Sequence, residues 1–177
     1  MDNCAGPLMA YKNVEITQKL LPLSSIYQLE IDSGRYVLVN MAQQGDRIVP
    51  NGHYLFAVLS SAFTSSGEMW IPPDRISSVS VDEENIMRVI PAPTQPPEHP
   101  GDGIGHTSMT RINGVATRSP AVRRVFYAGE LHFCHGQLMS WTNKSGHYRP
   151  ARPAMGILLP AAVRRLLPLS LYRVYSA

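Results

Sequence analysis

The sequence predicts an α+β fold in which a single domain is mostly antiparallel sheet, with short helices at the C-terminus. A chain of 177 residues is long enough for one core and too short for two domains of ordinary size. Fifteen prolines and thirteen glycines favour many short elements joined by tight turns. The apolar residues fall in short runs bounded by glycine or proline, which is typical of strands.

Six strands are predicted with defined bounds, and a seventh is expected without them. The turn Asp32-Ser33-Gly34 separates two strand-like runs and therefore indicates a hairpin. The continuous apolar run GHYLFAVLSS favours a buried central strand. The predicted strands cover residues 26–31, 35–41, 53–60, 67–71, 125–134 and 137–143. The second half of residues 76–90 is the expected seventh strand.

Two segments of the predicted domain, residues 1–177, are expected to lie outside regular structure. Residues 1–22 are an N-terminal arm, and residues 91–105 are a loop rich in proline and glycine. Its five prolines cannot donate backbone hydrogen bonds and restrict the residues before them. The chain after this loop is too short for an independent core, so we interpret the loop as internal to the domain.

The hairpin around His135-Gly136 is the best-defined unit, since glycine readily takes the positive φ of a two-residue turn. The turn predicts four cross-strand pairs: Cys134–Gln137, Phe133–Leu138, His132–Met139 and Glu130–Trp141. Strand alternation then assigns Tyr127, Leu131, Phe133 and Leu138 to a core face. The opposite, mixed face would carry Glu130, His132, Cys134, Met139 and Trp141.

The C-terminal segment is predicted to contain one or two short helices. Pro160 suits the first turn of a helix, and Pro168 ends it. Val163, Leu166 and Leu167 form an apolar stripe between them, which favours a terminal helix docked on the core.

Charge is distributed unevenly along the chain. From Arg118 onward there are nine Lys or Arg and one acidic side chain, Glu130, whereas the preceding residues carry seven bases and twelve acids. A basic half suits an acidic protein partner, a phosphate-bearing cofactor or, less well, nucleic acid, because basic–aromatic alternation of the RNA-binding type is absent. The alternative is a dispersed, solvated surface.

The composition also limits the cellular location and the kinds of metal site that the sequence predicts. Two cysteines, Cys4 and Cys134, cannot form a disulfide framework or a four-thiolate zinc site. His132, Cys134 and His135 do not converge on a predicted hairpin, so no metal is expected. No membrane span or secretory signal is recognisable, which predicts a cytoplasmic protein or one delivered by a specialised secretion system.

Three stretches carry candidate site residues. Glu130 is the one acidic side chain of the basic half and suits acid–base or cation-stabilising work, although an ion pair with arginine is equally compatible. His106, Thr107 and Ser108 suggest a nucleophile pair or a hydrogen-bonding clamp, with capping or strand-entry duty for Thr107 and Ser108 as the alternative.

The third stretch is SGHYRP. Gly146 and Pro150 confine the intervening residues to a stiff, extended exit from the hairpin. Neighbours in an extended segment point in opposite directions, so we expect Tyr148 to be mainly structural and His147 to face a cleft shared with His106 and Glu130.

The succession of YLFAVLSS, HTSM and YAGELHFCHGQLMSWTNKSGHYRP resembles a domain of plant IQ-calmodulin-motif-containing proteins and of bacterial proteins, some of them toxin- or effector-like. The family pattern is a strand, a His-Ser-Ser-Phe box, a hairpin and Ser-Gly-His-Tyr-x-Pro, and it covers roughly the last two thirds of this chain. This chain departs from the pattern in two ways: residues 110–126 lengthen the segment between box and hairpin, and the IQ segment is absent, so calmodulin binding does not carry over.

Two function classes follow from these residues and from the toxin-like context that the resemblance implies. The first is an NAD-using ADP-ribosyltransferase or NAD glycohydrolase. Its expected catalytic residues are Glu130, His106 and His147, and its expected binding residues are Ser108, Thr107, Trp141, Tyr148 and Arg149. The second is a non-catalytic module whose basic half binds an acidic protein.

Overall fold

The computed structural model describes residues 19, 21–58, 87–95, 98, 103–110, 127–145 and 161–174. These residues form an eight-stranded sheet with very short helical elements. The strands are β1 (Tyr27–Asp32), β2 (Arg35–Asn40), β3 (Arg47–Ile48), β4 (Gly52–Val58), β5 (Met87–Pro91), β6 (Tyr127–Cys134), β7 (Gln137–Thr142) and β8 (Tyr172–Arg173). The α-helical turns are α1 (Thr107–Thr110) and α2 (Ala161–Arg164), and 3-10 turns cover Leu23–Ser25 and Leu169–Leu171.

The strand order is β3-β2-β1-β5-β4-β6-β7-β8, and every neighbouring pair except β7–β8 is antiparallel. The prediction of a mostly antiparallel sheet is therefore confirmed. Five of the bounded strands lie within two residues of their predicted bounds, and β5 occupies the end of residues 76–90. The predicted strand at residues 67–71 lies outside the described residues.

The predicted C-terminal helices are not confirmed. The described part of this segment contains only the single turn α2 and a 3-10 turn before the two-residue strand β8. Docking of the apolar stripe is nevertheless observed, because Val163, Leu166 and Leu167 are all buried in the main core. Burial of these three side chains therefore holds the C-terminal segment on the core, although the segment does not form a helix of several turns.

Alternation along β4 and β6 gives the sheet two different faces. The main-core face carries Tyr54, Phe56 and Val58 of β4 and Tyr127, Leu131 and Phe133 of β6, with Tyr54 opposite Leu131 and Val58 opposite Tyr127. Burial raises the pKa of the Tyr127 phenol well above its ordinary value, and Tyr172 raises it further. The other face, here called the Glu130 face, carries Leu55, Ala57, Ile90 and Ala128 in a smaller cluster with Met109 of α1.

The sheet curls until the β6–β7 turn touches β2. The Tyr36 N–H donates to the Gly136 carbonyl at 3.0 Å, and the Arg35 guanidinium donates to the His135 carbonyl at 3.1 Å. His135 and Gly136 have φ values of 47° and 84°, which confirms the predicted turn. The C-terminal segment is tied across this curl by the Tyr36 hydroxyl, which donates to the Leu166 carbonyl at 2.9 Å.

A bulge changes the predicted register of the hairpin. Cys134–Gln137 and Phe133–Leu138 pair as predicted, but His132 lies opposite Ser140, and Glu130 lies opposite Thr142. The predicted pairs His132–Met139 and Glu130–Trp141 are therefore wrong. Met139 is the extra residue of the bulge and is exposed. From Ser140 onward, each residue of β7 therefore pairs with the β6 residue that was predicted for the position before it. Trp141 consequently turns into the main core opposite Leu131, where its large apolar surface is buried.

Gly129 of β6 provides a test of this packing. A Cβ atom at this position would overlap the Thr142 carbonyl oxygen and lie 3.0 Å from the Phe56 ring. We expect Gly129→Ala to lower the free energy of unfolding by ~1–3 kcal/mol, the cost of overpacking a core. Urea denaturation followed by circular dichroism measures the loss. Gly45→Ala is the control, because no heavy atom lies within 4 Å of its Cβ position. Equal urea midpoints of unfolding for Gly129→Ala and Gly45→Ala would contradict the observed packing.

Candidate functional site

In the described part of the chain, four titratable side chains meet on the Glu130 face. They are His53 of β4, Glu130 and His132 of β6, and Lys144, two residues beyond the end of β7. Glu130 Oε1 lies 3.3 Å from His53 Nδ1, and Glu130 Oε2 lies 3.9 Å from Lys144 Nζ. The Glu130 side chain is 22% exposed and that of His53 is 59% exposed, so the carboxylate is partly shielded while the imidazole faces solvent.

Strand register brings these groups together. In the β4–β6 ladder His53 lies directly opposite His132, and Leu55 lies opposite Glu130. His53 is thus the diagonal neighbour of Glu130, a separation that long side chains can bridge. The two imidazole rings stack with centroids 4.4 Å apart and planes inclined by 6°.

The distance between His53 and Glu130 favours one tautomer. Glu130 Oε1 lies 3.3 Å from His53 Nδ1, and an ionised carboxylate is attracted to an N–H but not to a nitrogen lone pair, which favours the proton on Nδ1. In the neutral ring the lone pair then resides on Nε2. Within the part of the chain that the structure describes, the ionic partners of Glu130 are histidine and lysine, so the arginine pair considered as an alternative is not observed there.

His106 lies beside this cluster but has a different environment. Its side chain is buried, at 5% exposure, and Nε2 is 2.7 Å from the Gly129 carbonyl oxygen. A carbonyl can only accept, so His106 Nε2 donates. Gly129 is one position beyond the last β6–β7 pair and immediately precedes Glu130. The structure therefore brings His106 close to Glu130: His106 binds the backbone carbonyl of Gly129, the β6 residue that precedes Glu130.

Ser108 performs the capping role that was considered as the alternative. Its side chain is fully buried, and its hydroxyl accepts a hydrogen bond from the Gly105 N–H at 3.0 Å. The Ser108 N–H in turn donates to the Gly105 carbonyl at 3.0 Å, and Thr107 is the first residue of the helical turn α1. This reciprocal pair resembles a capping box and satisfies donors at the start of the turn.

Trp141 lies away from the other predicted site residues. It is fully buried on the main-core face, with ring centroids 4.8 Å from Tyr172 and 5.8 Å from Tyr127. Its indole N–H donates to the Pro168 carbonyl at 2.7 Å, which ties β7 to the C-terminal segment. The structure thus places Trp141 on the opposite side of the sheet from Glu130. His147, Tyr148 and Arg149, the remaining predicted residues, lie outside the described residues.

Two residues of this region were not predicted from the sequence. His53 was assigned only as the start of a strand, and its role depends on the β4–β6 register, which no local pattern specifies. Arg88 of β5 is buried on the Glu130 face and donates to the Met109 carbonyl at 2.8 Å, which holds α1 against the sheet. A charged residue inside the apolar run IMRVI was the available signal for a buried polar contact.

Among the described residues, no group of three His, Cys, Asp or Glu side chains is arranged to hold a metal ion. No helix in the described ranges is long and apolar enough to cross a bilayer. Comparison of the chain with protein-family models, with curated proteins and with solved structures gave no significant match.

Replacing Ser108 distinguishes a cap from a ligand-binding hydroxyl. We expect Ser108→Ala to lower the free energy of unfolding by ~0.5–2 kcal/mol, because the Gly105 N–H loses its buried acceptor. Thermal unfolding followed by circular dichroism measures the change. Ser170→Ala, at an exposed position of the last 3-10 turn, is the matched control. A Ser108→Ala protein as stable as this control would refute the capping role.

Proposed function

We propose that the protein is a toxin- or effector-like NAD-using enzyme, an ADP-ribosyltransferase or NAD glycohydrolase, whose chemistry centres on Glu130. The observation that carries the proposal is the Glu130 carboxylate, partly exposed and contacted by His53 on one oxygen and by Lys144 on the other. A carboxylate held in a fixed position beside imidazoles suits the stabilisation of a developing positive charge.

In this reaction the bond between the nicotinamide nitrogen and C1′ of the ribose breaks. The electron pair leaves with nicotinamide, which becomes neutral, and the ribose acquires oxocarbenium character. The Glu130 carboxylate would stabilise that positive charge electrostatically. An acceptor O–H, from water or from a target, then bonds to C1′ and releases its proton.

Within the proposal we give supporting roles to the residues around Glu130. His106 and Ser108 are buried, so we assign them to positioning β6 and α1 and not to direct contact with the ribose. Lys144 is exposed beside Glu130 and offers a cation for the pyrophosphate. His147, Tyr148 and Arg149 retain the roles expected from the sequence, with delivery by a specialised secretion system as the accompanying proposal.

Nicotinamide release from NAD tests the enzyme directly. We expect the unmodified protein to release nicotinamide, alone or with modification of a target in lysate, and Glu130→Gln to reduce the rate at least ~100-fold, as for loss of one electrostatic stabiliser. Glu30→Gln is the matched control, because Glu30 is also a strand-borne carboxylate in an ion pair, with Arg47 at 3.4 Å. Chromatography of the products measures the rate. Absence of release with and without lysate, or equal rates for the two variants, would reject the proposal.

A second candidate is a module that binds an acidic protein through the C-terminal segment. Arg164, Arg165 and Arg173 are exposed, and residues 161–174 contain no acidic side chain. Leu169 and Val174 are exposed in the same segment, at 47% and 49%. Positive charge beside exposed apolar side chains suits an acidic, partly apolar partner.

A labelled peptide of alternating glutamate and leucine serves as the probe for this second candidate. We expect binding that weakens with added salt and is lost in the Arg164→Glu/Arg165→Glu double variant, measured by fluorescence anisotropy. Lys19→Glu, at an exposed cation of the N-terminal arm, is the control and should bind normally. Equal binding by the two variant proteins would exclude the C-terminal segment as the binding surface.

A further inference from the structure

We infer that His53 is a further catalytic residue of this site and accepts the proton released by the attacking O–H. The inference rests on the proposed function for the identity of the reaction. The identity of the base rests on geometry alone: the solvent-facing imidazole of His53 on β4 places Nδ1 3.3 Å from a partly shielded carboxylate on β6.

The proximity of Glu130 favours one direction in which His53 can act. Nδ1 lies 3.3 Å from Oε1, so the carboxylate favours the tautomer protonated at Nδ1, in which the lone pair of the neutral ring lies on Nε2. With 59% of the side chain exposed, the ring is accessible to a substrate on the Glu130 face. A carboxylate behind an imidazole holds the tautomer and stabilises the imidazolium that forms on proton transfer.

The stacked His132 ring restricts His53 further. An exposed side chain normally samples several rotamers, which would scatter the position of the base. Here the ring is held by the carboxylate through Nδ1 and by the parallel His132 imidazole 4.4 Å away. We therefore assign His132 as a positioning residue and not as a second base.

The proton and electron balance of the step is complete without another reactant. The acceptor oxygen forms a bond to C1′ as the bond to nicotinamide breaks, and the electron pair departs with neutral nicotinamide. The acceptor proton moves to His53 Nε2, so the ring becomes an imidazolium paired with the Glu130 carboxylate. Release of that proton to solvent restores the neutral base.

Acidity should suppress the step, because a protonated His53 cannot accept a proton. Among the residues that the structure describes, the titratable and charged groups around it are Glu130 and His132 on β6 and Lys144 after β7. On the β5 side the His53 backbone carbonyl accepts a hydrogen bond from the Ala92 N–H at 3.0 Å. We expect the rate of nicotinamide release to rise with pH.

The first arm of the test measures nicotinamide release as a function of pH. We expect His53→Gln to lower the rate about 100-fold or more, the scale of general base catalysis, and to flatten the rise with pH. His135→Asn is the matched control, because His135 is exposed and asparagine tolerates its positive φ. A His53→Gln enzyme with the rate and pH profile of this control would overturn the role of His53 and leave the proposed function standing.

The second arm does not depend on NAD. Diethyl pyrocarbonate acylates neutral imidazole nitrogens, and mass spectrometry gives the rate at each histidine. We expect His53 to react several-fold faster than the exposed His135, and Glu130→Gln to remove the difference. Equal rates at the two histidines, unaffected by Glu130→Gln, would overturn the inference whatever the NAD assay shows. A reactive His53 in a protein that leaves NAD intact would sustain the base and reject the proposed reaction.

Discussion

The pairing of β4 with β6 is the constraint on which the rest of the structure depends. Seven consecutive residue pairs, from Gly52–Phe133 to Val58–Tyr127, join the two strands without a break in register. The ladder commits one set of alternate side chains to the main core and the other to the Glu130 face. A shift of one residue would exchange the two sets, so burial of the aromatic core also fixes His53 beside Glu130.

The Glu130 face combines structural and chemical demands at one place. Arg88 holds α1 through the Met109 carbonyl, and His106 satisfies the carbonyl of Gly129. Buried polar groups of this kind are costly unless they are hydrogen-bonded, so these contacts stabilise the cover over the apolar half of the face. The side chains of Glu130 and His53 are 22% and 59% exposed, so the charged half of the face is accessible.

Sequence reasoning identified the strands and the turn but not the long-range relations between them. The turn at His135-Gly136 follows from local φ preferences, and its first two pairs are confirmed. Local pairing rules could not reveal the bulge at Met139, because the gain that selects it is burial of Trp141 against distant side chains. His53 was missed for the same reason: a histidine at the start of a strand acquires chemical meaning only when its partner strand is known. Glu130 was recognisable because it is the one acidic side chain of a basic half.

The most direct test of this account is the register between β4 and β6, measured by interstrand backbone nuclear Overhauser effects. The account predicts cross-strand contacts that place His53 opposite His132 and Leu55 opposite Glu130. A ladder shifted by one residue, with Tyr54 opposite Glu130, would send His53 to the opposite face. That result would contradict both the packing of the core and the assignment of the site.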